Sequence, residues 1–235
     1  MDTEAQGTGF VLWLTGMQRA GKSALAAHLA NRLAAAGRRV ELLDEDGEAK
    51  LLLEGLGTGK EDHARVVARL GFVAKAVTRA GGIAICAALS PYREPRELLR
   101  REARRFVEVF VDCSMEALQA REGGAIYRKA LAGEVKDVPG VDVPYEPPAR
   151  ADVTVHTDQL SVQESAARVF QALVDARMIG PAEFGRLTGG LRPSRAKPAP
   201  AARSSGRRKL AAKAAARKAP RKMAGRGARA AKRRR

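Results

Sequence analysis

Cysteine is scarce: Cys86 and Cys113 are the only two in 235 residues, each inside or beside an apolar run. So few thiols exclude a disulfide framework, and both read as buried thiols of a reducing compartment. Histidine and cysteine nowhere cluster at metal-ligating spacing. No apolar run approaches the roughly 20 residues that cross a bilayer. The opening MDTEAQGTGF is too acidic and polar for a secretory signal, so a cytoplasmic protein without membrane contact is expected. One further absence is local. From Leu187 to Arg235 there is no Asp, no Glu and no aromatic residue, against 18 Lys and Arg. The formal net charge of +17 belongs to this tail, because residues 1–186 hold 25 basic and 26 acidic residues.

The tail is composed almost wholly of Ala, Lys, Arg, Pro, Gly and Ser, and cannot bury enough surface to offset the entropy of ordering. The sequence therefore divides into a folded domain over 1–180 and a disordered basic tail over 187–235. Its composition is similar to the Lys/Ala/Pro-rich ends of histone H1-like proteins. Such a tail neutralises nucleic-acid phosphates without reading bases, which implies nucleic acid as a partner and association with the nucleoid. The plainer alternative is a solubilising extension.

Within the domain, short apolar runs alternate with helical patterns. Strands are expected at 10–15, 39–46, 82–89, 106–113 and 152–157. Helices are expected at 23–37, 61–81, within 90–105, from Ser114 as N-cap, and at 161–177. Residues 121–149 are rich in Gly, Pro and charge and read as a mobile lid (about 121–148). Five strands alternating with helices imply an α/β fold with a mostly parallel sheet covered on both faces.

The stretch GMQRAGKS (16–23) fits G-x-x-x-x-G-K-[ST], after a strand and before a helix, the context that a phosphate loop requires. Gly16, Met17, Gln18, Arg19, Ala20 and Gly21 would turn backbone N–H groups onto phosphates at a helix N-terminus. Gly16 and Gly21 are expected to keep side chains from blocking that approach. Lys22 would reach the terminal phosphates of ATP and Ser23 would ligate Mg²⁺. Asp44 and Asp46, ending the second strand, fall at the carboxyl edge of the sheet, where ligands bind. One would orient Mg²⁺ through water, a role assigned to Asp46, and the other would accept a hydroxyl proton. Arg121 opens the lid and would close over phosphate.

Taken together these segments resemble the adenylylsulfate kinase family of P-loop kinases. FVLWLTGMQRAGKS is similar to its strand and phosphate loop, LDED to its L-D-G-D, and LSPYREPRE to its I-S-P-Y-R. FVEVFVDCSMEALQARE, IYRKALAGEVK and VDVPYEPP are similar to its closing strand, lid and post-lid turn. The resemblance covers roughly residues 8–177. It implies a P-loop kinase fold and transfer of the terminal phosphoryl group of MgATP to the 3′-hydroxyl of adenylylsulfate. It also implies a homodimer and a catalytic serine at Ser90. His63, Arg69, Ser90, Tyr92, Arg93 and Lys136 are the expected acceptor-side residues.

The departures gather on that acceptor side. Glu45 replaces the glycine of L-D-G-D, and Ala49 stands where a substrate-binding arginine would be. Thr58 and Val138 replace two phenylalanines that stack on the acceptor adenine, His63 replaces an arginine, and Val66 an asparagine. The expectation is an ATP-dependent phosphotransferase with an altered acceptor, adenylylsulfate or another hydroxyl compound. The alternatives are an inactive nucleotide-binding regulator and a nucleic-acid binder acting through its tail.

Overall fold

A computed structural model describes residues 8–190. Five strands form one parallel sheet in the order β2-β3-β1-β4-β5. They are β1 (Val11–Thr15), β2 (Val40–Asp44), β3 (Ile83–Ala88), β4 (Phe106–Asp112) and β5 (Val153–His156). The expected α/β architecture with a five-stranded parallel sheet is therefore present. β1 and β3 are buried along their whole length, as unbroken apolar runs covered on both faces must be.

Helices cover the sheet on both faces and divide its core in two. Leu12, Leu14, Leu25, Leu29 and Phe170 belong to one cluster, Val11, Trp13, Leu70, Ala74 and Leu99 to the other. The alternation of β1 residues between the clusters follows from the two-residue period of a strand. α1 (Lys22–Ala35) and α6 (Val162–Asp175) line the first cluster, and α2 (Lys60–Arg79) and α3 (Arg93–Glu102) the second. α4 (Met115–Ala120) starts at Ser114, whose side chain accepts the Ala117 N–H, the cap expected from the sequence. No helix among the described residues is long and apolar enough to cross a membrane.

The structure departs from expectation in two places. The lid segment contains a two-turn helix, α5 (Ala125–Ala132), closed by Gly133 in the left-handed region. A seventh helix, α7 (Pro181–Thr188), follows α6. Arg32 of α1 donates to the Leu187 and Arg186 carbonyls at 2.7 and 2.9 Å, capping the end of α7, and Leu187 is buried. Residues 187 and 188 thus pack with the domain rather than beginning a tail. The remainder of the basic segment, 191–235, lies outside the described residues. Of the two cysteines, Cys86 is fully buried as expected, whereas Cys113 is only partly so.

Candidate active site

β1 leads into the phosphate loop at the carboxyl edge of the sheet. Gly16 is required there for a reason other than the expected one. A Cβ at this position would collide with the Val111 carbonyl oxygen of β4, so its missing side chain lets two strands close rather than clearing space for phosphate. Gly21 has φ 97° and forms the N-cap of α1 with no side chain capping the helix. No acidic residue stands in the first turn. The open N–H groups and positive helix end of α1 are thus left for an anion, which is the fit a nucleotide phosphate needs.

Three consecutive loop carbonyls are held from outside. Tyr127 Oη donates to the Gln18 carbonyl at 2.6 Å, Arg121 to that of Arg19 at 2.8 Å, and Thr157 Oγ1 to that of Ala20 at 2.6 Å. Arg121 also donates to the Thr157 carbonyl at 2.7 Å. It therefore ties the loop to the end of β5. Gly140 packs so closely on Met17 that a Cβ would meet its sulfur. Tyr127 stands in the lid stretch that resembles the family's; Thr157 and Gly140 were not singled out in the sequence, since a lone Thr or Gly carries no motif.

Lys22 is 5% exposed, and its Nζ donates to the carbonyls of Gly16 at 3.1 Å and Met17 at 3.2 Å. Burial lowers its pKa, partly offset by Glu45, Asp46 and Asp44, in that order. The three carboxylates at and just after the end of β2 thus lie close enough to act on the ammonium. Asp44 is buried and accepts the Asp46 N–H at 3.2 Å. Asp46 and Ser23 are exposed, as a pair holding a cation through water would be. Glu45 accepts the Leu89 N–H, and burial pushes its pKa up to about 7 against the pull of Lys22. Glu45 was noted in the sequence as a departure from the family pattern; its half-buried place beside Lys22 was not legible there.

Residues 8–156 match the family described as adenylylsulphate kinase. The chain belongs to that family. The adenylyl-sulfate kinase of Microcystis aeruginosa is 41% identical over 167 residues, which cover 71% of this chain and 92% of that protein. A probable bifunctional SAT/APS kinase 2 of Sorangium cellulosum is 43% identical over 166 residues, 71% of this chain but only 29% of that longer protein. Among solved structures, the Mycobacterium tuberculosis APS kinase CysC in complex with AMPPNP and APS is similar with a TM-score of 0.66. That match has 32% identity and covers 71% of this chain and 98% of the other.

The expected acceptor-side residues include one close pair, His63 and Tyr92, and most of the others are engaged within the domain. Ser90 is 1% exposed, with φ 36°. Its hydroxyl accepts from Trp13 Nε1 at 3.2 Å and donates to Thr15 Oγ1 at 2.9 Å. Thr15 Oγ1 donates on to the Leu89 carbonyl and meets Tyr145 Oη at 2.9 Å. Arg69 donates to the carbonyls of Leu52 and Glu54 at 2.9 and 3.2 Å, pinning the turn after β2. Arg93 donates to the Pro147 carbonyl at 3.1 Å. Tyr92 is buried, lies 6.1 Å from the His63 ring and has Lys60 over its face at 5.4 Å. His63 Nε2 is buried with no hydrogen-bond partner, and burial lowers the imidazole pKa. Lys136 is exposed.

Proposed function

We propose that this chain transfers the terminal phosphoryl group of MgATP to a hydroxyl acceptor, by the chemistry of adenylylsulfate kinases, in an acceptor pocket of altered composition. The observation that carries the first half is Lys22, buried behind an uncapped helix N-terminus and faced by Asp44, Glu45 and Asp46. Lys22 would leave the Gly16 and Met17 carbonyls for the transferring phosphate. Ser23 and Asp46 would hold Mg²⁺, which when bound neutralises charge on the phosphates. Asp44, fixed at the strand end, would take the proton of the attacking hydroxyl. Arg121 supports the loop from behind.

The second half rests on what surrounds the acceptor. Ala49, Val66 and Val138 are all buried, so none offers a polar contact. Arg69 and Arg93 spend guanidinium hydrogen bonds on backbone carbonyls. Glu45 adds a carboxyl group where the family pattern has glycine. Each charge-assisted hydrogen bond lost to an anionic acceptor is worth about 1.5–3 kcal/mol, so adenylylsulfate is expected to bind far more weakly than to its usual kinases. ADP release from MgATP, with and without adenylylsulfate, tests this. Strong stimulation at low adenylylsulfate would remove the altered-acceptor reading, and failure to bind MgATP would remove the kinase reading. Glu45→Gly is expected to tighten adenylylsulfate binding about 10-fold, equivalent to about 1.4 kcal/mol, as read by the adenylylsulfate KM or by calorimetry.

The basic segment supports a second role, anchoring to nucleic acid through phosphate neutralisation. Because Leu187 packs in the domain, the informative truncation removes 191–235. It is expected to abolish salt-sensitive retention on DNA and to leave ATP binding unchanged; retention that survives truncation would overturn the role.

A further inference from the structure

Two clefts adjoin at the amino edge of the sheet, the end opposite the phosphate loop, and share Thr8 and Arg105. One, about 530 Å³, has Arg38, Arg105, Arg177 and Glu183 as its charged lining. The other, about 400 Å³, adds Lys75, Arg79, Arg104 and Glu102. The carboxylates are already engaged, Glu183 by Arg38 and Glu102 by Lys75. A domain of near-neutral charge therefore concentrates six cations around one concave edge.

Two of the guanidinium groups are incompletely satisfied. The Arg38 side chain is 9% exposed; its Nη1 reaches both Glu183 oxygens at 2.9 and 3.1 Å, while its Nη2 is buried without a partner. Arg105 Nη2 donates to the Arg177 carbonyl at 3.2 Å, and its Nε is likewise buried without a partner. A buried donor left unpaired is costly, the more so on a charged group. Both orphan donors belong to side chains lining the same cleft, and a small shift of either side chain would offer them to a ligand. Their missing complement is an acceptor carrying negative charge.

We propose that this edge is a second anion site, separate from the phosphate loop, for a small molecule bearing two or more phosphate-like groups. A multiply charged anion fits better than a monoanion, because the cations outnumber the engaged carboxylates by four and are spread across two connected clefts. Arg38 and Arg105 would form the primary seat. Arg177 and Arg104, one in each cleft, would extend it.

Inorganic pyrophosphate is the probe, added to the full chain with ¹⁵N-labelled arginine at roughly physiological ionic strength, where exposed charges are screened beyond about 8 Å. The Nε–Hε signals of Arg38 and Arg105, assigned from Arg38→Lys and Arg105→Lys, are expected to shift together and saturably. Lys22→Ala should leave those shifts unchanged, whereas in Arg38→Met the remaining Arg105 shift should need at least 10-fold more pyrophosphate. Arg177→Met, at an exposed side chain, should weaken them several-fold and guards against misfolding of the Arg38 variant. Absence of a saturable shift would overturn the proposal. So would an equal shift with sodium chloride at matched ionic strength, or loss of the shift in Lys22→Ala.

Discussion

Lys22→Ala is expected to cut ATP turnover by about 10²–10³-fold, the usual cost of removing one preorganised donor to a developing charge. ADP release measures it. The substitution should leave the fold standing, with thermal unfolding moved by a few degrees at most. Nζ has no role in the hydrophobic core; it bonds two carbonyls of its own loop. Removing it ends the cost of burying an ammonium but leaves Glu45, Asp46 and Asp44 without the cation that balances them. These two changes oppose each other, so the stability effect is small where the kinetic one is large. Unchanged turnover would take the loop out of the reaction.

Arg96→Met is expected to do the reverse, destabilising the domain by about 3–5 kcal/mol through an orphaned buried charge. Urea unfolding measures it. Arg96 is 1% exposed and donates to Glu108 at 3.0 Å and to the carbonyls of Ser90, Tyr92 and Glu146, the last two at 3.1 and 2.6 Å. One guanidinium thus joins β4, the start of α3, the segment after β3 and the end of the lid segment. Methionine fills much of the volume and satisfies none of these acceptors. Glu108 would keep only Arg100, at 3.1 Å, which Asp152 also shares at 2.8 Å. The double variant Arg96→Met/Glu108→Met should lose less than Arg96→Met alone, since no unpaired carboxylate remains. A single-variant loss under about 1 kcal/mol would mean that the cluster does not hold these segments together.

Arg96 also marks where sequence reading stops. In REPRELLRRE it is one of several arginines on a strongly amphipathic helix, and nothing local distinguishes it from its solvated neighbours. Its partners come from 50 residues downstream as well as from nearby. β1 and β3 were legible because their apolar runs are nearly continuous, and β2, β4 and β5 because short β-branched and apolar stretches recur between helical patterns. The phosphate loop was legible because its motif sits between a strand and a helix. α5 was not, since only Tyr127 and Ala130 of its eight residues are buried, too few for a period. α7 did carry a signal, Pro at its first position and Gly just past its end, but it falls between the domain end expected at 180 and the tail expected from 187, and most of it was assigned to neither. The acceptor-side arginines were read by resemblance alone, which cannot say that Arg69 and Arg93 turn to backbone carbonyls.

The outward pinning of the Gln18, Arg19 and Ala20 carbonyls has a thermodynamic consequence. In a trans peptide the N–H opposes the carbonyl of the preceding residue, and no cis bond interrupts the described chain. Tying the Gln18 and Ala20 carbonyls to Tyr127 and Thr157 therefore aims the N–H groups of Arg19 and Gly21 to the other side, toward the space a phosphate would enter. The ordering entropy of the loop is met when the domain folds, not when nucleotide arrives. Binding can then be driven by electrostatics without a large entropic penalty for shaping the loop. Arg121 and Tyr127 come after β4 and Thr157 after β5, so two stretches distant in sequence from the loop set its shape in advance.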